Sequence, residues 1–205
     1  MRKFKVKEIF KTLQGEGYWA GRPAIFIRFA GCNLWTGREE DRQSAICKFC
    51  DTDFLGGQKM DAHEICRKAS ELWGTGRENR FCVLTGGEPA LQVDFQLIAT
   101  LRRYDFHVAI ETNGTKNIDL LADWITVSPK AGAMPLIQNW GDELKLVYPQ
   151  ESLDPAQFTE GFEHYFLQPM DGADKDRNTK LAIEYCQANP RWRLSIQVHK
   201  IVGIA

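Results

Sequence analysis

No run of about 18 apolar residues occurs in the 205-residue chain, so the sequence offers no membrane span. The basic start Met1-Arg2-Lys3-Phe4-Lys5 leads into no apolar h-region, and no signal peptide is expected. An excess of charge of one sign is also missing. The 26 Lys and Arg face 27 Asp and Glu, which gives no reason to expect nucleic acid or a strongly charged partner. Internal repeats, low-complexity tracts and Pro-, Gly- or Ser-rich linkers are absent. One domain over residues 1–205 is therefore expected, long enough to bury a core without disulfide staples. What is present is ordinary for a globular protein, with 43% apolar and 26% charged residues. Six cysteines without a secretion signal point to a cytoplasmic setting, where thiols stay reduced. Metal binding or catalysis is then a better reading of them than disulfides.

Short apolar runs alternate with segments of helical period. Strands are expected at Val6–Phe10, Ala24–Phe29, Phe81–Leu84, Val108–Glu111, Trp124–Val127, Leu144–Val147, His164–Leu167 and Leu194–His199. One helix is expected from Asp61, with Glu64 completing a capping box variant and Ile65, Ala69 and Leu72 on one face. A second covers roughly Val93–Arg103, with Phe95, Ile98 and Leu101 inward. A third runs from about Thr179 to Ala188 and stops before Pro190. Such alternation argues for a parallel α/β sheet. A full eight-unit barrel needs about 250 residues, and much of this chain is spent on the irregular segment Gly31–Lys59. A partial barrel or open sheet, parallel strands with helices outside, fits better. Chemistry then gathers at the C-terminal ends of the strands.

Three cysteines follow the second strand as Cys32-x14-Cys47-x2-Cys50. Thiolates hold iron–sulfur clusters, and three ligands to a four-iron cluster leave one iron free to chelate a substrate. A structural zinc site would need a fourth ligand and usually shows two pairs. No further Cys or His lies nearby, because His63 and Cys66 fall on the next helix. The flanks Gly31, Asn33, Lys48 and Asp51 are polar, unlike a core. Cys66, Cys82 and Cys186 sit among apolar residues and read as core.

A strand ending in Thr85-Gly86-Gly87-Glu88-Pro89 resembles the GGEP element of the radical S-adenosylmethionine superfamily, whose usual cluster motif is Cys-x3-Cys-x2-Cys. Here the last gap matches and the first is longer; the charged stretch Asn33–Ile46 can loop out and return Cys47 to the cluster. The resemblance implies a [4Fe–4S] cluster on Cys32, Cys47 and Cys50 and bound S-adenosylmethionine. Glycines allow close backbone approach, and Glu88 can accept from the cofactor's ammonium. Two later strand ends, Glu111-Thr112-Asn113-Gly114 and Ser128-Pro129-Lys130, present polar groups suited to a ribose or carboxylate; Lys130 can neutralise the methionine carboxylate. Gln168-Pro169-Met170-Asp171 can frame the adenine. Taken singly, each of these would more often be a turn.

More specifically, the chain is similar over nearly its whole length to the 7-carboxy-7-deazaguanine synthase family. The likeness is carried by Lys7-Glu8-Ile9-Phe10, Thr12-Leu13-Gln14-Gly15-Glu16-Gly17, Gly21-Arg22-Pro23, Arg28-Phe29-Ala30-Gly31-Cys32-Asn33-Leu34-Trp35, Cys50-Asp51-Thr52-Asp53 and the strand ends above, extended to Gly172. A subgroup of that family shares the long cysteine gap. The resemblance implies ring contraction of 6-carboxy-5,6,7,8-tetrahydropterin with loss of ammonia, in deazapurine and queuosine biosynthesis. It also implies Mg²⁺ on Thr52, a homodimer and an external flavodoxin- or ferredoxin-type electron donor. Cofactor contacts are expected from Phe49, Cys50, Asp51, Gly87, Glu88, Ser128, Pro129, Lys130, Gln168, Pro169, Met170 and Asp171. Substrate contacts are expected from Leu13, Gln14, Gly15, Glu16, Arg28, Thr85, His199 and the terminal Ala205. Gln14 and Glu16 can match the donor and acceptor edge of a pterin, and an unpaired group there would cost about 1–3 kcal/mol. The Arg28 guanidinium can fork onto a carboxylate. For Thr52 a turn or cap is the plainer reading of the residue alone, and a structural histidine is at least as good a reading of His199.

Two other functions share some of these features. A radical S-adenosylmethionine activase acting on a protein partner would keep the cluster and GGEP elements but would not need Gln14, Glu16 and Arg28. A zinc or electron-transfer module would not cleave the cofactor, and electron-transfer clusters prefer four cysteines.

Overall fold

The computed structural model describes residues 2–118 and 122–204. Its strands are β1 (Phe4–Leu13), β2 (Pro23–Phe29), β3 (Gln58–Met60), β4 (Phe81–Gly86), β5 (His107–Thr112), β6 (Trp124–Val127), β7 (Gly141–Tyr148), β8 (Phe162–Pro169) and β9 (Trp192–Leu194). They form one open sheet in the order β3-β1-β2-β4-β5-β6-β7-β8-β9. From β2 to β9 every neighbouring pair is parallel. β1 runs antiparallel to both β2 and β3. Residues 14–22 between β1 and β2 are too few for the dozen or more that a parallel crossover takes. The expected partial (β/α) barrel is thus borne out, its sheet left open and carrying antiparallel strands along one edge.

Helices α1 (Ala62–Trp73), α2 (Phe95–Arg103) and α3 (Lys175–Ala188) cover the outer face, and a short α4 (Val198–Val202) follows β9. The capping box at Asp61 forms as expected, with Asp61 accepting from the Glu64 amide and Glu64 accepting from that of Asp61. Asp94 caps α2 by accepting from the Leu97 amide.

Period-two alternation sorts the strands into two faces. Ile25, Ile27, Cys82, Leu84, Val108, Ile110, Leu144 and Leu146 point outward and pack with Ile65, Cys66 and Ala69 of α1 and Leu97, Ile98 and Leu101 of α2. Ala24, Phe81, Val83, Ala109 and Trp124 point inward and form a second cluster. The loop 14–22 enters this inner space. The Tyr18 ring stacks 4.4 Å from His164, and Trp19 lies 5.2 Å from Trp124 and 5.7 Å from Phe81. Aromatic side chains therefore floor the barrel at the strand N-termini, and polar ones remain for the opposite end.

Several local expectations need correction. Phe95 is 64% exposed, because it begins α2 and Val93 packs in its place. Leu72 is 38% exposed, in the last turn of α1 where the helix leaves the sheet. α3 starts before Thr179, and Cys186 within it is only partly buried. The strand expected over Leu194–His199 stops at Leu194. There Ser195 N donates to Leu167 O and Val198 N to Gly15 O, so the chain turns inward and His199 lies on α4.

Candidate active site

The carboxyl ends of the strands and the inner space behind them enclose a cavity of about 430 Å³, a size usual for small-molecule sites. Arg28 of β2, Thr85 of β4, Glu111 of β5, Lys145 of β7 and Gln168 of β8 point into it, while the residues between them face the helices.

At one end β2 hands the chain to Gly31, whose φ of 90° turns it into Cys32. The Gly86-Gly87 turn closes directly on this bend. Gly87 N donates to Phe29 O at 3.0 Å and Glu88 N to Gly31 O at 2.9 Å. A Cβ on Gly87 would meet Gly31 O at 2.0 Å, so only glycine permits the approach. The cysteine loop and the GGEP turn are thus zipped together by backbone. Asn33–Ile46 folds back on itself through a 3₁₀ turn over Glu39–Ser44. Ile46 N and Cys47 N both donate to Leu34 O. Arg42 lies 4.1 Å over the Trp35 ring and donates to the carbonyls of Lys48 at 2.8 Å and Cys50 at 3.0 Å. In this way the long first gap closes and Cys47 returns toward Cys32.

All three thiols line the cavity. Cys47 donates to Cys50, which holds the Cys50 thiol down at about 6 and pushes that of Cys47 up. Burial pushes Cys32 up, although the Leu34 and Trp35 amides donate to its sulfur. Lys130 is buried near them, and desolvation holds its ammonium below the usual lysine value against the opposing pull of Cys47 and Cys50. Among the described residues no three Cys, His, Asp or Glu side chains close on one ion-sized point. Three separate thiols around a shared space suit a cluster, which is wider than one ion.

At the other end lies a polar network. Lys145 Nζ donates to Glu16 Oε2 at 2.6 Å and lies 3.4 Å from Glu111 Oε1. Gln14 Nε2 donates to Glu111 Oε1 at 2.9 Å, and Gln197 Nε2 to Glu16 Oε1 at 2.9 Å. Burial opposes the Glu16 charge, but Lys145 outweighs it and holds the carboxyl at about 2. Arg28 Nε lies 2.8 Å from Glu8 Oε1, though its N–H is not aimed there. At the mouth Lys200 of α4 pairs at 2.5 Å with both Asp51 and Asp171.

Of the residues expected from sequence, Leu13, Gln14, Gly15, Glu16, Arg28, Thr85 and His199 line this cavity. So do Phe49, Asp51, Thr52, Gly87, Ser128, Lys130, Gln168, Pro169 and Asp171. Glu88 does not: its carboxylate is fully buried and accepts from Thr112 Oγ1, Asn113 N and Ala90 N. Pro129 and Met170 do not line it either, and their carbonyls accept from Gln150 Nε2 and Asn178 Nδ2. Ala205 lies outside the described residues. Sequence reasoning gave no role to Glu8, Lys145, Gln197 and Lys200, and placed Glu111 only in a strand end suited to a ribose or carboxylate. For Lys145 a signal existed, a lone charge inside the apolar run Leu144–Val147.

Residues 44–132 match the radical SAM superfamily. The chain is 51% identical over 208 positions to the 7-carboxy-7-deazaguanine synthase of Caulobacter vibrioides, covering 98% of this chain and 99% of that relative. It is 54% identical over 209 positions to the enzyme of the same name from Bradyrhizobium diazoefficiens, with the same coverage. The chain belongs to the 7-carboxy-7-deazaguanine synthase family. The crystal structure of QueE from Escherichia coli has a TM-score of 0.75 to it at 29% identity, over 96% of this chain and 95% of that one. Membership of the 7-carboxy-7-deazaguanine synthase family makes the chain a radical S-adenosylmethionine lyase, and an iron–sulfur cluster and S-adenosylmethionine come with that chemistry.

Proposed function

We propose that the chain converts 6-carboxy-5,6,7,8-tetrahydropterin to 7-carboxy-7-deazaguanine with loss of ammonia, in queuosine biosynthesis. The observation that carries this reading is that one cavity is lined both by the three thiols and by Gln14, Glu16 and Arg28. Cys32, Cys47 and Cys50 would hold the [4Fe–4S] cluster. Once bound there, the cluster and S-adenosylmethionine would supply radical hydrogen-transfer chemistry at substrate C6.

The chain's own residues orient and shield. Gly87, Ser128, Lys130 and Gln168 would seat the cofactor beside the thiols, Lys130 opposite its carboxylate. Gln14 and Glu16 would take the donor-bearing edge of the pterin and Arg28 its carboxylate, so that C6 faces the cofactor. Such placement within a closed site supplies a large part of a rate enhancement. Thr52, beside Cys50 in the lining, would give Mg²⁺ a hard oxygen. The same reading includes a homodimer, a flavodoxin- or ferredoxin-type donor and a cytoplasmic setting; no helix among the described residues is long and apolar enough to cross a membrane.

The deciding experiment is an anaerobic assay of the reconstituted protein with the tetrahydropterin, S-adenosylmethionine and a strong reductant. Formation of the deazaguanine is expected. Cofactor cleavage without any deazaguanine would overturn the substrate assignment while leaving the superfamily intact.

A further inference from the structure

Lys145 takes no part in the roles assigned above, yet it is a deeply buried cation facing the cavity. Its side chain is 5% exposed and enters from β7, while the residues it pairs with come from the loop after β1 and from β5. Its ammonium donates to Glu16 and lies 3.4 Å from Glu111. Glu111 also accepts from Gln14, and Gln14 Oε1 accepts from the Glu16 amide at 3.1 Å. One charge therefore fixes both side chains of the loop and joins three elements. Taking it away would leave Glu16, Glu111 and the buried Glu143 near one another without that cation.

We infer that Lys145 is a positioning residue that holds Glu16 and Glu111 in place as acceptors for the donor-bearing edge of a neutral heterocycle, an inference that rests on the pterin reading above. The chemistry is direct. An ionised carboxylate only accepts, whereas a protonated one presents a donor where the heterocycle also presents donors. Burial alone favours the protonated form. The groups facing Glu16 are Lys145 and Glu143 from β7, Glu111 from β5, Gln197 and His199 from the C-terminal segment, and Gln14 from its own loop. Of these, Lys145 acts most strongly to keep Glu16 charged.

The test is calorimetric binding of the tetrahydropterin to oxidised holoenzyme with S-adenosylmethionine, which does not turn over without a reductant. Wild type, Lys145→Met and Lys145→Arg are compared from mildly acid to mildly alkaline pH, with cluster iron and melting temperature measured on each. Lys145→Met should bind about tenfold more weakly or worse, with a deficit relative to wild type that deepens as pH falls. Lys145→Arg should recover much of the pH behaviour, because it restores the cation. Glu16→Gln added to Lys145→Met should abolish the acid-side deepening, because glutamine has no proton to gain. If Lys145→Met does not fold, Lys145→Met with Glu111→Gln removes opposite charges together and carries the same pH comparison. A deficit equal at every pH, or none, overturns the inference. Wild type that binds S-adenosylmethionine but not the pterin strikes the pterin reading instead.

Discussion

Glu143 and Lys145 stand two residues apart on the inner face of β7, and burial acts on them with different results. Lys145 has carboxylates around it and stays charged, while Glu143 is 2% exposed and is pushed up to about 7 by desolvation, despite Lys145 and the Tyr18 amide that donates to it at 3.0 Å. Its ordinary value is 4.5, so the folded state holds a proton that the unfolded chain releases between pH 4.5 and about 7. Stability from this group is therefore full below pH 4.5 and declines as pH rises through 7, by up to about 3 kcal/mol. Glu16 runs the other way, with its contribution present above 4.5 and lost only toward pH 2. Between mildly acid and mildly alkaline pH the melting temperature of wild type should fall more than that of Glu143→Gln; parallel curves would remove Glu143 as the cause. Cys32→Ala, Cys47→Ala and Cys50→Ala should each lose most cluster iron, whereas Cys66→Ala and Cys82→Ala, both in the core between the helices and the outer face of the sheet, should keep it. Iron analysis showing the reverse would reassign the ligands. Arg28→Ala should weaken substrate binding about ten- to a hundred-fold with iron unchanged, and Arg28→Lys should fall between, having lost the fork but kept the charge. Unchanged affinity in Arg28→Ala would mean another group holds the carboxylate.

Among the elements, the cluster loop and α4 depend most on contacts remote in sequence. Arg42 staples the loop by capping the Cys50 carbonyl while lying on Trp35. Arg42→Ala should leave the sheet intact but speed cluster loss under mild chelation; iron retention equal to wild type would show that the Leu34 turn suffices alone. α4 rests on Gly15, where an added Cβ would meet His199 Nδ1 at 2.2 Å and its Cβ at 3.0 Å. Because backbone-proximal atoms clash, ring rotation alone cannot relieve it. Gly15→Ala should displace α4 and weaken substrate binding more than it lowers the melting temperature. The centres of most strands and the start of α1 were legible in sequence, since alternation and a capping box are local signals. The fate of 195–199 was not. Leu194, Ile196 and Val198 alternate as a strand would, but among the described residues no further strand lies beyond β9, and the open polar groups of this segment are met by Gly15, Glu16 and Gly17 instead.

At the scale of the whole molecule, the outer face of the sheet holds the fold together and the inner face carries the chemistry. A cavity cut on the outer side should therefore cost stability without touching the site. Leu101→Ala, on the fully buried face of α2 toward the sheet, should lower stability by about 2–5 kcal/mol and leave cluster iron and substrate affinity unchanged. The alternation of apolar runs with helical segments was enough to expect a partial α/β barrel, and the cysteine spacing and GGEP turn carried the family resemblance that implied the kind of reaction it hosts. All of these are features of short stretches of chain. Only the tertiary structure decided which charges meet. Glu16 and Lys145 are 129 residues apart and Lys200 and Asp51 are 149 apart. It also turned Glu88 away from the cavity, where Thr112 and Asn113 claim its oxygens. The period of a strand tells which residues share a face but not which face is inside, and that is settled when the helices take one side and leave the other to polar groups.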